Sequence, residues 1–371
     1  MTLPPPRADV VLMDGYHSPR LDVKVRLNVN EAPEGPPAAF LEALEREIHN
    51  SGLNRYPDLS ATALREAIGA HHGVRREEVF CANGSNEVLQ SLLLAFGGPG
   101  RAVAVFSPTY ALHSHIAAIT GTAVLEAERD EEFLIHAEAI EQVMARGAAM
   151  LAESDPRGAF GTRRAVNPVI TFCCSPNNPT GRLEPDDRLD AVLARAPGLV
   201  VADEAYGQFA PRSALDRRGE HPELVVVRTF SKTWSLAGLR LGYAVADPAV
   251  IEAMERVTLP YHLDAIKQAA GRLALGFADE MRARVSRLVH ERGRLCAELS
   301  ALGCSVVPSD ANFILFSPPV SDAKAVWSSL VEHSVLVRDV SSWPRLAGYL
   351  RVTVGTPEED DAFLAGLRAA L

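Results

Sequence analysis

Five short apolar runs, each broken at its C-terminal end by an uncommon polar cluster, constrain this chain more than any other feature. Val79 to Ala82 meets Asn83-Gly84-Ser85-Asn86-Glu87, and Ala102 to Phe106 meets Ser107-Pro108-Thr109-Tyr110. Val169 to Cys174 runs into Ser175-Pro176-Asn177-Asn178-Pro179-Thr180-Gly181, and Leu199 to Ala202 into Asp203-Glu204-Ala205-Tyr206. Leu224 to Val227 runs into Arg228-Thr229-Phe230-Ser231-Lys232, and another apolar run, Leu241 to Ala246, follows. Helical patterns alternate with these runs. Strands apolar on both faces belong to a sheet covered on both sides, so an α/β fold with a mostly parallel sheet is predicted. In such a sheet ligands bind at the carboxyl ends of the strands, where the polar clusters fall.

The rest of the chain frames this region. The first 35 residues are proline-rich and without a sustained period, and read as an arm that gains order by lying on something else. From Pro36 to Asn50 the pattern is helical, Asn54 to Asp58 is a turn, and Ser60 is placed to cap the next helix. After about Tyr261 the texture changes. A long helical pattern from Ala278 to Leu302 precedes short strands at Ser305 to Val307, Asn312 to Phe316, Val335 to Val337 and Tyr349 to Val354, with a final helix to Leu371. The expected organisation is an arm (1–35), a large domain (36–260) and a smaller C-terminal α/β domain (261–371). Gly147 to Asn167, rich in Ala, Gly and Arg, reads as a surface excursion.

Composition excludes several classes. Of 371 residues, 47% are hydrophobic and 23% charged, with a net charge of −10, so neither a disordered chain nor a basic nucleic-acid binder is expected. Five cysteines, an odd number without a CxxC, read as reduced thiols of a cytoplasmic protein. The apolar stretch Val10 to Met13 is too short for a secretory leader, and no run is long enough to span a membrane. His113-x-His115 and His71-His72 lack acidic or cysteine partners at a metal-ligand spacing, so no metal is expected.

The clusters carry distinct chemistry. Asn83 to Glu87 opens a helix whose free N–H groups favour an anion, though alone it describes any capped helix. Asp203 ends an apolar strand, which is costly for a carboxylate without a partner such as a protonated ring nitrogen, and Tyr206 is placed to reach the same ligand. Lys232, at a strand end in an apolar crevice, should hold a depressed pKa, and its free amine would condense with an aldehyde. Thr229 and Ser231 before it and Arg240 after it can hold a phosphate dianion. Together these groups describe a pyridoxal phosphate site.

Here the chain resembles a fold type I pyridoxal-phosphate aminotransferase, and most closely the histidinol-phosphate aminotransferase family. The resemblance rests on Leu27-Asn28-Val29-Asn30-Glu31, Asn54-Arg55-Tyr56-Pro57, Asn83 to Glu87, Ser175 to Gly181, Asp203 to Tyr206, Thr229 to Lys232, Leu236 to Gly242 and Leu350 to Gly355, in the family's order. It implies a seven-stranded large-domain sheet and a set of roles. Lys232 would bond the cofactor and shuttle the proton; Asp203 would pair with the pyridinium nitrogen. Asn178 and Tyr206 would bind the ring hydroxyl, and Tyr110 would stack on the ring. Gly84, Ser85, Asn86, Thr229, Ser231 and Arg240 would hold the phosphate. Tyr56 would reach the other subunit's cofactor in a homodimer. Arg351 would take the substrate carboxylate, Arg338 the substrate phosphate, and Tyr16 would close over the substrate.

The implied reaction moves an amino group between L-histidinol phosphate and 2-oxoglutarate, giving glutamate, in histidine biosynthesis. Other readings on the same scaffold are an aminotransferase for aromatic or other amino acids, a decarboxylase of a phosphorylated amino acid, and a cofactor-sensing module of a transcription regulator. The last requires an attached DNA-binding domain. Two features depart from the family pattern: Thr233 and Trp234 after the lysine, and the length of the 147–167 excursion.

Overall fold

Parallel strands buried on both faces set the architecture. A computed structural model describes residues 3–5, 21–143, 145 and 167–371. In it, β2 (Val79–Ala82), β3 (Ala102–Ser107), β4 (Ala123–Glu128), β5 (Pro168–Cys174), β6 (Leu199–Asp203), β7 (Leu224–Thr229) and β8 (Gly242–Val245) form one sheet in the order β2-β8-β7-β6-β5-β3-β4. Strands β3 to β7 pair in parallel, while β8 runs antiparallel to both β2 and β7. The registers Cys174 with Asp203 and Thr229 with Gly242 bring the polar strand ends to one side of the sheet.

Strand β4 was not legible from an apolar run, for a physical reason. It is an edge strand on which Leu125 and Ala127 are buried while Glu126 and Glu128 are exposed. Two local expectations also shift. Helix α1 spans Ala38–Asn50 and α2 spans Thr62–His72, but Ser60 does not cap α2. The Asp58 carboxylate does, accepting from the Thr62 and Ser60 amides, because the left-handed turn at Ala61 brings those two N–H groups towards it. Helix α3 (Ser85–Phe96) starts three residues earlier than its apolar face, directly after Gly84, and α4 (Leu112–Ile119) follows β3.

A second sheet takes β9 (Ser305–Val306), β10 (Phe313–Ser317), β11 (Val335–Asp339) and β12 (Leu350–Thr353). The proline-rich arm contributes β1 (Val25–Leu27), which pairs in parallel with Val335 to Val337 of β11, giving the order β1-β11-β12-β10-β9. A 24-residue helix, α5 (Ala278–Ala301), buries Leu288, Leu295 and Leu299 in the core of this sheet. The last helix, α6 (Pro357–Ala370), begins at a reciprocal cap between Thr356 and Glu359. Apolar clusters fill both sides of the first sheet and the face of the second.

Candidate active site

Strand β6 ends inside the molecule on Asp203, which is 2% exposed. Its carboxylate is not left bare. The Ala205 amide donates to Oδ1 at 3.1 Å, and His113 Nε2 donates to Oδ2 at 2.9 Å. His113, on α4, is fully buried and stacked flat on Phe172 at 4.4 Å. In sequence this histidine stands out only as half of a His-x-His pair. Its role is to hold the strand-end carboxylate, and no local spacing announces a partner ninety residues away.

Lys232 stands beyond the end of the neighbouring strand β7. Its Nζ donates to the Val29 carbonyl at 3.0 Å and lies 5.8 Å from the Tyr206 ring. Burial, then the charges of Arg351 and Arg240, lower its pKa to about 8. About a tenth of the amine is therefore free at pH 7, far more than for an ordinary lysine, in the direction its position suggests.

Next to it lies an anion cradle. Gly84 takes a left-handed backbone (φ 85°), and a side chain there would put a Cβ 2.6 Å from the Arg240 guanidinium. Glycine thus lets the arginine lie against the start of α3. Arg240 donates to Ser231 Oγ at 3.1 Å, and Thr229 Oγ1 accepts from the Ser231 amide at 3.1 Å. Tyr110 donates to Asn86 Oδ1 at 3.1 Å. The first turn of α3, two hydroxyls and a guanidinium thus converge, as phosphate binding requires.

The second sheet and the arm supply the remaining wall. Arg351, 5% exposed, donates to Asn178 Oδ1 at 2.5 Å and to the Asn28 carbonyl at 2.9 Å. Asn30 donates to the Tyr206 hydroxyl at 2.9 Å, and burial pushes the Tyr206 phenol up to about 12, so it keeps its proton. The Leu27 to Glu31 motif alone assigns Asn30 no role. Its left-handed backbone (φ 57°) is held by the Thr353 hydroxyl, which accepts from the Asn30 amide and donates to its side chain. Arg338 lies at the end of β11 with its guanidinium 5.7 Å from the Trp343 ring. The neighbouring Asp339 turns to Ser341, accepting from its amide and hydroxyl.

One named residue, Tyr56, stands outside these contacts. Tyr56 is 80% exposed and stacks on Tyr261 at 4.4 Å. Tyr16 and residues 147–166 of the excursion lie outside the described residues. The unusual Trp234 is buried against Phe230 and His71 in the apolar cluster beside β8, so an indole there fills core. Among the described residues no group of three His, Cys, Asp or Glu could hold a metal ion, and no helix is long and apolar enough to cross a membrane.

A seven-stranded sheet ending on an acid, a lysine and a phosphate-type cradle, faced by a small sheet carrying arginines, defines a fold type I pyridoxal-phosphate enzyme. The sequence profile of the family described as aminotransferase class I and II matches residues 22–367. A histidinol-phosphate aminotransferase of Frankia casuarinae is 42% identical over 371 residues, covering 96% of this chain and 87% of that protein. One from Corynebacterium diphtheriae is 42% identical, covering 98% and 96%. The chain belongs to the class I and II aminotransferases, and within them to the histidinol-phosphate aminotransferase family. Its fold is shared by the crystal structure of histidinol-phosphate aminotransferase from Sinorhizobium meliloti in complex with pyridoxal-5′-phosphate, at a TM-score of 0.81 and 22% identity, covering 94% of this chain and 91% of that one.

The enzyme is a pyridoxal-phosphate-dependent transferase, and its residues fit that cofactor. The Gly84–Arg240 cradle leaves room that a Cβ would fill, and a buried carboxylate and a deprotonatable lysine stand at adjacent strand ends.

Proposed function

We propose that the protein transfers an amino group between L-histidinol phosphate and 2-oxoglutarate, serving histidine biosynthesis as a cytoplasmic homodimer. One observation carries the substrate assignment: Arg338 and Arg351 are direct partners across β11 and β12, so two guanidinium groups share one face of the small sheet. Opposed like charges destabilise a sheet unless anions come between them. Substrates carrying a phosphate or two carboxylates suit such a pair. The names of the relatives at 42% identity support the same reading.

Pyridoxal phosphate, when bound, supplies an aldehyde that accepts the amino group and a ring that accepts electrons. The chain does the rest. Lys232 Nζ takes the substrate α-proton and returns it, which a lysine with a pKa near 8 can do in both directions. Asp203, fixed by His113, holds negative charge against the ring nitrogen. Asn178 and the protonated Tyr206 bind the ring hydroxyl, Tyr110 covers the ring face, and Gly84, Ser85, Asn86, Thr229, Ser231 and Arg240 hold the phosphate. Arg351 takes the carboxylate of 2-oxoglutarate and Arg338 the phosphate of the donor, with Tyr16 closing over it. Tyr56, on a surface with exposed Leu53, Leu59 and Leu259, serves the cofactor of a second subunit.

Steady-state rates test the assignment. With 2-oxoglutarate as acceptor, histidinol phosphate should exceed phenylalanine, tyrosine and leucine in kcat/KM by about 100-fold or more. Equal rates for histidinol phosphate and phenylalanine would overturn it.

A further inference from the structure

We propose that Arg345 is a specificity-determining positioning residue, which fixes the loop between β11 and β12 to the first sheet and so sets where Arg338 presents its guanidinium. The proposal rests on the reading of Arg338 as the donor-phosphate ligand. Residues 340–349 begin just after Arg338 and end just before Arg351, so this loop links the two arginines in sequence. Arg345, at its centre, has a left-handed backbone (φ 63°) that throws its side chain across to the segment following β4.

There its guanidinium is used on every side. Nη1 donates to the Arg129 carbonyl, while Nη2 donates to the Asp130 carbonyl at 3.3 Å and to Glu131 Oε1 at 3.1 Å. Nε lies 3.7 Å from Glu128 Oε2, and the plane sits 5.9 Å from the Phe133 ring. Only a fork-shaped cation can serve two carbonyls and two carboxylates at once; a lysine offers one point of charge.

The receiving segment is itself rigidly held. The Arg129 side chain is fully buried and paired with Glu184. It also donates to the carbonyls of Phe106, Phe133 and Cys174. Phe106 and Cys174 lie near the ends of β3 and β5, the strands that lead to Tyr110 and Asn178. Arg345 therefore anchors its loop to the same frame that carries the cofactor-facing residues.

On the other side, Phe133 enters an apolar cluster with Val340, Trp343, Leu346 and Tyr349 of the loop. Trp343 in turn lies under Arg338. The contacts thus run from the large sheet through Arg129, Arg345, Phe133 and Trp343 to Arg338. Arg351 has separate anchors in Asn178 and the Asn28 carbonyl, so the joint should bear on Arg338 alone. No sequence motif marks Arg345, because its partners lie more than 200 residues away.

The test is kinetic. Arg345→Ala should raise the KM for histidinol phosphate about tenfold, and leave kcat and the KM for 2-oxoglutarate within about twofold. Phe133→Leu should shift the same constant in the same direction, and Arg345→Lys should recover part of the loss. Combined with Arg338→Ala, Arg345→Ala should add nothing further, because both changes remove one contact. A general fall in kcat and in both affinities would overturn the proposal by making Arg345 merely structural. So would an unchanged donor KM in Arg345→Ala where Arg338→Ala does raise it. An unchanged donor KM in Arg338→Ala itself would instead overturn the phosphate reading on which the proposal stands.

Discussion

Arg338 on β11 and Arg351 on β12 face each other directly across an antiparallel pair, and so project from the same side of the small sheet. Their environments differ. Arg351 is buried and bonded to Asn178, a residue of the cofactor wall, whereas Arg338 is half-buried and lies on Trp343. That difference divides the work between them. Arg338→Ala should raise the KM for histidinol phosphate by about 10- to 150-fold, the loss of a charge-assisted bidentate contact. Its effect on an unphosphorylated aromatic donor should be under about threefold. Arg351→Ala should instead weaken 2-oxoglutarate. Initial rates over both substrates check this, and equal losses for both donors in Arg338→Ala would remove the phosphate role.

Lys232 gives a pH dependence with a definite sign. Its pKa is lowered to about 8 by burial and by the positive charges of Arg351 and Arg240. A lysine reacts with an aldehyde only as the free amine, so the reactive fraction rises as pH passes through 8. The rate at which cofactor-free enzyme takes up pyridoxal phosphate should therefore climb between about pH 7 and 9 and level off above it. Absorbance during reconstitution across a pH series measures it. A midpoint near the ordinary lysine value would mean that the crevice does not activate the amine. Lys232→Ala should yield no cofactor-labelled peptide after borohydride reduction.

Tyr56 predicts complementation between subunits. It is 80% exposed and braced by Tyr261, which suits a side chain reaching outward into a second copy of the chain. Mixing inactive Lys232→Ala chains with inactive Tyr56→Ala chains should restore up to about a quarter of the wild-type activity, since half the dimers are mixed and each has one intact site. Light scattering that shows a fully active monomer would exclude the arrangement.

The parts of this site that sequence revealed are those where chemistry interrupts a strong periodic pattern. Asp203 and Lys232 are visible because a polar group at the end of an apolar strand is expensive without a function, whereas Asn178 takes its role from the family resemblance. His113 and Asn30 were not, because each sits in an unremarkable helical or loop context and gains its meaning from a partner at least 90 residues away. Arg345 is hidden for the same reason. Strand β4 escaped because an edge strand alternates, and β1 because three residues are too few to show a period. The second sheet was read in its strands but not in its borrowing of β1 from the arm.

A last relationship lies away from the chemistry. Asp360, fully buried in the first turn of α6, accepts the Gly355 amide at 3.0 Å through Oδ1. Glu291 is paired with Arg294, which also reaches Asp361. Burial first, and then the negative charge of Glu291 on α5, push Asp360 up to about 8. The folded pKa lies above the unfolded value near 3.8. The contribution to stability is therefore complete below pH 4 and is lost progressively as pH rises through 8. Asp360→Asn keeps the donor and acceptor pattern without the titration. Wild type should lose about 1 kcal/mol per pH unit relative to this variant between pH 5 and 8, read from denaturant midpoints. Parallel stability curves over that range would show that Asp360 is ionised in the folded chain.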